Sequence, residues 1–330
     1  MQNLTPTGAR RRALQTLGAA AMAALGLPAA AQSSADRVVK LILPNGVGSG
    51  VDTVARTAQA ALGKALGHPV VVDNQPGAGG IVGVSALVKS APDGFTLGYV
   101  SNNHVIYPSV YKSVPFDPIA DITPIAVVVT TPVVLVVNPK VAAANAKELV
   151  ALMKARPGEI NFGSGGNGTI LHLAGEMFID EAGVQAKHIP YKGVGPMLSD
   201  LIGGQIEFAT VALPSIQAHL KSGALRAIGV ASTARTPAAP EIPTFVEQGM
   251  PGYVVDAWIA FVGPKGLPAA EVARLHAALV TTFAAPEVRD MMAKQGNAIN
   301  VTSSESALAF FKSEMAKYAK LVKKAGIELQ

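Results

Sequence analysis

The 330-residue chain carries 27 Lys and Arg against 22 Asp and Glu, a formal charge of +5, with 5% aromatics, six histidines and no cysteine. Disulfides and thiolate metal sites are therefore excluded, and the histidines lack the H-x-x-H-type spacing that would group them for a metal ion. The basic residues are scattered with few aromatics between them, unlike the stripe of a nucleic-acid binder.

Arg10, Arg11 and Arg12 precede an uncharged apolar run from Ala13 to Leu27, and Ala29-Ala30-Ala31 stand before Gln32. A basic start, a short apolar middle and a small-residue end are the parts of an export signal. Residues 1–31 are thus expected to be a leader cleaved after Ala31. A membrane span would need about 20 apolar residues and no such cleavage pattern. The Arg10-Arg11 pair also fits a twin-arginine signal, although Ala13 stands where Phe is usual, so Tat and Sec export both stay open. Removing Arg10 to Arg12 takes 27 basic residues to 24 against 22 acidic ones, so most of the net charge belongs to the leader. The expected location is the periplasm.

Beyond Arg37, short apolar runs alternate with longer amphipathic ones, the pattern of βαβ units and a largely parallel sheet. The spacing predicts a strand over Val38–Leu43, a glycine-rich loop over Pro44–Gly50 and a helix over Val51–Ala65 closed by Gly67. A strand at Val70–Val72, a helix at Gly80–Ser90 and, after the Pro92-Asp93-Gly94 turn, a strand at Thr96–Val100 follow. The apolar run Ile125–Val137, broken by Pro132, is expected to cross into a second lobe. There, strands at Ile160–Phe162, Lys187–Ile189, Ile206–Val211 and Leu225–Val230 alternate with helices at Thr169–Glu181, Val194–Leu201 and Ser215–Lys221. Tyr253–Val262 reads as the return crossing. Two final helices carry Val272, Leu275, Leu279 and Phe283, then Leu308, Phe311, Met315, Tyr318 and Val322, at three-and-four spacing. The cluster Lys317, Lys320, Lys323 and Lys324 reads as the wet face of the last helix.

The fold expected is therefore α/β with two lobes, 36–138 plus 251–330 and 139–250, and a cleft crossed by two segments. Each lobe carries a small-residue loop between a strand and a helix: Leu41 to Asp52 in one, Ile160 to Thr169 in the other. Such loops present free backbone N–H groups at a positive helix end, where glycine allows an anion to approach closely. Either loop alone is equally well explained as a tight turn; their pairing across a cleft favours anion binding. Gly163, Gly165 and Gly168 fit G-x-G-x-x-G, but the following strand ends at Ile189-Pro190-Tyr191 with no acidic residue for a ribose.

Six segments carry a family resemblance: Asp73 to Gly80 (DNQPGAGG), Ala91 to Leu97 (APDGFTL), Val136 to Pro139 (VVNP), Ser164 to Thr169 (SGGNGT), His188 to Gly193 (HIPYKG) and Leu201 to Gln205 (LIGGQ). From about Val38 onward the chain resembles the Bug, or TctC-like, extracytoplasmic solute receptors associated with tripartite tricarboxylate transporters. The resemblance implies a type II periplasmic-binding fold and a carboxylate ligand held by both loops, partly through ordered water. It also implies membrane permease subunits as partners; a membrane sensor kinase would use the same pocket. Where the family usually reads Pro-Phe-x-x-Gly-Gly-x-x-Asp, this chain has Pro44 to Asp52 (PNGVGSGVD), so Asn45 and Ser49 add polar side chains. Where an Asp often follows the strand after Gln205, Val211 stands here, which favours an unaminated acid over an amino acid.

The expected ligand contacts are Asn45, Gly48, Ser49 and Gly50 in the first loop and Ser164, Gly165, Asn167 and Thr169 in the second. Asn103 and His104, just past a strand end, and Trp258 on the return crossing join them. His104 reads equally as a loop residue bonded locally, and Trp258 equally as hinge core. His172 reads as structural, and Asp52 as a brace for its own loop, since a carboxylate facing an anion would repel it. Phe162 occupies the first glycine position of G-x-S-x-G, so Ser164 is not in a nucleophile elbow and no enzyme is expected. No metal and no cofactor are expected, and the receptor is expected to be a monomer.

Overall fold

Val39, Leu41 and Leu43 enter one hydrophobic core and the intervening Ile42 enters another. A strand buried on both faces shows no regular polar alternation, and this segment reads as an apolar run interrupted only by the exposed Lys40. The computed structural model describes residues 37–324 and Leu329; the expected leader lies outside the described residues. The strands are β1 (Val39–Leu43), β2 (Val70–Asn74), β3 (Thr96–Ser101), β4 (Ile122–Val137), β5 (Asn161–Ser164), β6 (Lys187–Pro190), β7 (Phe208–Ala212), β8 (Arg226–Val230), β9 (Asp256–Pro264) and β10 (Ala298–Ile299). The helices are α1 (Gly50–Leu66), α2 (Ile81–Val88), α3 (Asn103–Val110), α4 (Ala146–Ala155), α5 (Ile170–Ala182), α6 (Val194–Gly203), α7 (Gln217–Lys221), α8 (Ala269–Ala284), α9 (Pro286–Lys294) and α10 (Ser304–Lys324).

The first lobe's sheet runs β2-β1-β3-β9-β4, with β10 also on β4; β1 is parallel to β2 and β3, and β9 is antiparallel to both β3 and β4. Helices cover both faces, as α/β architecture requires. Val54 and Leu62 of α1, Leu279 of α8 and Met292 of α9 share a core with Leu41 and Phe261. Val84 of α2, Ile106 of α3 and Phe311 of α10 share the other with Ile42 and Val100. In the second lobe, β4 lies between antiparallel β7 and β8, and parallel β5 and β6 continue beyond β7. Phe162, Phe178 and Phe208 are fully buried there.

The two lobes share one strand. β4 is 16 residues long and changes partners midway: Pro132 is opposite Asp256 of β9, and Val133 is opposite Ala212 of β7. Proline cannot donate to a ladder, so it is tolerated where pairing is handed from one sheet to the next. The chain returns at the same level, with Ala231 N–H donating to Val133 O at 2.8 Å and Val255 N–H to Ala231 O at 2.8 Å. The run read as a crossing is thus the distal part of a longer strand that begins at Ile122. Two helices were not foreseen: α3, where a loop was expected, and α9, which makes three C-terminal helices instead of two.

Candidate functional site

The first loop is built by Ser49 and Asp52. Ser49 caps α1, its Oγ accepting from Asp52 N–H at 3.2 Å. Asp52 in turn accepts from Gly48 N–H at 3.0 Å, from Arg56 Nε at 2.9 Å and from Asn74 Nδ2 at 3.0 Å. Burial alone would raise the Asp52 carboxyl, but the bonds from Arg56, Gly48 and Asn74 and the charge of Arg56 outweigh it and hold the group below its ordinary value. A depressed folded pKa gives stability that is present above the unfolded value of about 3.9 and is lost as pH falls through the folded value. Asp52→Asn should therefore be less stable than the parent at neutral pH, with the gap closing in acid below that range. Urea denaturation across a pH series checks this; a gap independent of pH would refute it.

The second loop repeats the device. Thr169 caps α5, its Oγ1 accepting from His172 N–H at 3.3 Å and donating to Gly166 O at 2.8 Å. Asn103 of α3 reaches across from the first lobe: its Oδ1 accepts from Ile170 N–H at 2.8 Å and its Nδ2 donates to Gly79 O at 3.3 Å. Tyr111 OH makes a second link, donating to Asn167 O at 2.9 Å. Gly79, at φ 65°, sits between them. A side chain there would lie 2.6 Å from Tyr111 OH and 3.2 Å from Asn167 O. Only glycine allows this approach.

Between the loops lies a cavity of about 370 Å³. The N-terminal residues of three helices line it: Gly50 and Val51 of α1, Ile170 and Leu171 of α5, and Val194 of α6. The first amides of a helix have no acceptor within it, so these ends offer donors and positive potential. Asn103 occupies one of them, at Ile170. Asn45 Oδ1 and Ser215 Oγ are buried in the wall without a hydrogen-bond partner. Among the described residues lining the cavity there is no Asp or Glu, and Lys192 is the one Lys or Arg. Pro44, Ala78, Leu171, Ala212, Trp258 and Ile259 add apolar wall.

Of the residues expected at the site, Asn45, Ser49, Gly50, Asn103, Gly165, Asn167, Thr169 and Trp258 line this cavity. Gly48, His104 and Ser164 do not. Gly48 gives its N–H to Asp52, as above. His104 is buried 2.6 Å from Pro118 O and stacks on Phe116, and burial lowers its pKa to about 4. Ser164, fully buried, shares its Oγ between Gly166 O at 3.0 Å and His188 Nε2 at 2.7 Å. The His188 ring stacks on His172 at 3.8 Å. Burial, with the neighbouring His172, pulls the His188 pKa down to about 3, so this ring stays neutral beneath the loop. The cavity is also lined by Pro76 to Gly80, by Tyr191 to Val194 at the start of α6 and by Ser215, none of them among the residues expected there. The strand-to-helix glycine at Gly193 was the available signal for the α6 start.

Two α/β lobes on a shared strand, enclosing a cavity rimmed by helix N-termini, define a two-lobed solute-binding receptor of the type II periplasmic-binding fold. The sequence profile of the tripartite tricarboxylate transporter family receptor, TctC, matches residues 54–327. The chain belongs to this family of substrate-binding receptors. It is 33% identical over 312 residues to Protein BugT of Bordetella pertussis, covering 94% of this chain and 96% of BugT. The solved structure of R. palustris Rpa4515 with adipate superposes with a TM-score of 0.86 at 28% identity, covering 89% of this chain and 99% of that one. MatC (Rpa3494) from Rhodopseudomonas palustris with bound malate gives 0.82 at 26% identity, covering 87% and 99%.

Proposed function

We propose that this chain is a periplasmic receptor that captures a small unaminated carboxylate in the cavity and passes it on, unreacted, to the membrane subunits of a tripartite tricarboxylate transporter. The observation that carries this reading is the cavity wall: three helix N-termini, two unpartnered polar atoms and, among the described residues, no acidic side chain around one cleft of small-ligand size. Asn45, Ser49, Gly50, Gly165, Asn167 and Thr169 are the proposed polar contacts, with Asn103 linking the lobes around the ligand and Trp258 as wall. An α-amino acid would bring an ammonium into a space with no carboxylate to receive it, at a desolvation cost. The adipate and malate bound by the two similar receptors agree with the chemistry proposed. The proposed lobes, 36–138 with 251–330 and 139–250, pivot where β4 and the return segment pass side by side. Export as a monomer, with the leader cleaved after Ala31 by the Tat or Sec route, completes the proposal.

Thermal unfolding with adipate, malate, their diamides and glutamate tests it. A bound carboxylate at a hundred times its Kd should stabilise the protein by about 2.7 kcal/mol, while the diamides and glutamate leave the melting temperature unchanged. Stabilisation by the diamides, or by glutamate alone, would overturn the anion-site reading.

A further inference from the structure

Trp258, in the cavity wall, is held at both ends by helix α10. Its indole Nε1–H donates to Glu314 Oε2 at 2.9 Å. Its backbone N–H donates to Asn102 Oδ1 at 2.9 Å, and Asn102 Nδ2 donates to Tyr318 OH at 2.6 Å and to Asp256 O at 3.1 Å. Glu314 is only 7% exposed and lies on the face of α10 that otherwise buries Ala307, Phe311, Tyr318 and Val322. Its second oxygen accepts from Lys317 Nζ at 2.8 Å. A carboxylate on an apolar face is costly to bury, and an apolar residue of the same size would pack there without that cost. What the carboxylate adds is an acceptor for the one polar atom of the indole. Phe311 stacks on the same ring at 5.1 Å and Phe310 meets it edge-on at 5.4 Å, so packing and the hydrogen bond define one ring orientation together.

We propose that Glu314 is a positioning residue for the ligand site: through Trp258 Nε1–H it fixes the side chain of a residue that lines the cavity and thereby sets how closely a ligand fits. This rests on the reading of the cavity as the binding site. Trp258 is the single tryptophan of the chain, so emission excited at the tryptophan absorption edge, where tyrosine does not absorb, reports this ring alone.

The test compares Glu314→Leu, which removes the acceptor, with Glu314→Gln, which keeps one. The readouts are the Trp258 emission and acrylamide quenching of the free protein, and calorimetric titration with adipate and malate. Glu314→Leu should alter the emission and weaken carboxylate binding by up to about tenfold, the cost of ordering on binding a ring that is no longer held in the free protein. Glu314→Gln should stay near the parent in both readouts. In the Trp258→Phe background, which has no indole N–H, Glu314→Leu should cost no further affinity. Equal losses in both backgrounds, or unchanged emission in Glu314→Leu, would overturn the positioning role. If Glu314→Leu does not fold, Glu314→Asp, too short to reach the indole, takes its place. Failure of both to fold would make Glu314 a determinant of the fold and overturn the proposal. If the parent binds neither acid, the receptor reading fails for these probes, while the emission comparison still decides whether Glu314 sets the indole.

Discussion

Ser49→Asp is expected to lower carboxylate affinity by about a thousandfold while the protein stays folded. Aspartate caps a helix as well as serine does, so the Asp52 N–H that Ser49 Oγ accepts keeps its acceptor. Ser49 also lines the cavity, so the substitution places a negative charge beside the proposed anion. Two like charges about 4 Å apart at an effective dielectric of 20 repel by about 4 kcal/mol, or roughly three decades in Kd. Titration calorimetry with a carboxylate that binds the parent, together with the melting temperature of the variant, checks both halves. A variant that melts like the parent and binds within about tenfold of it would mean that the ligand does not approach the α1 N-terminus.

The second large effect falls on stability. Trp258→Ala is expected to destabilise the protein by about 3–5 kcal/mol, the range for truncating a large buried aromatic. The ring is 2% exposed and packs against Phe310 and Phe311, and its removal also deprives Glu314 of a buried donor. Denaturant unfolding followed by circular dichroism measures the loss. Trp258→Phe, which keeps most of the ring packing, should recover most of it. A loss of less than about 1 kcal/mol for Trp258→Ala would show that the hinge side of the cavity relaxes around the gap.

The two-lobed α/β order was readable because each unit announces itself by an apolar run, a glycine turn and an amphipathic helix. Helix α3 was not. Asn103 to Tyr107 and Val110 are all buried, so the segment has no polar face to give it a helical period, and Pro108 inside it argues for a break. Reading it as a loop hid the difference between neighbours. On a helix, adjacent side chains diverge by about 100°, so Asn103 meets the cavity while His104 enters the core beside Phe116. Ser164 was misjudged for a related reason: it ends β5 on the same side of the strand as buried Phe162, whereas Gly165, one residue on, reaches the cavity. The chemistry of the helix caps is local. Ser49 and Thr169 each stand directly before a helix and cap it, a role that their expected place among the ligand contacts did not include. Glu314 gave no such sign, since its partner lies 56 residues away in sequence.

The shared strand bears on how the chain acquires its structure. Every strand that pairs with β4, namely β7, β8, β9 and β10, follows it in the sequence. In the first lobe β9 stands between β3 and β4, so the β1–β3 half cannot join β4 until Asp256–Pro264 is available. Loop closure over that separation is slow relative to local contacts. A growing chain therefore carries Ile122–Pro132 without the β9 half of its ladder until Asp256–Pro264 has been made, whereas Val133–Val137 can pair with β7 and β8 earlier, so the first lobe's sheet is the one completed last.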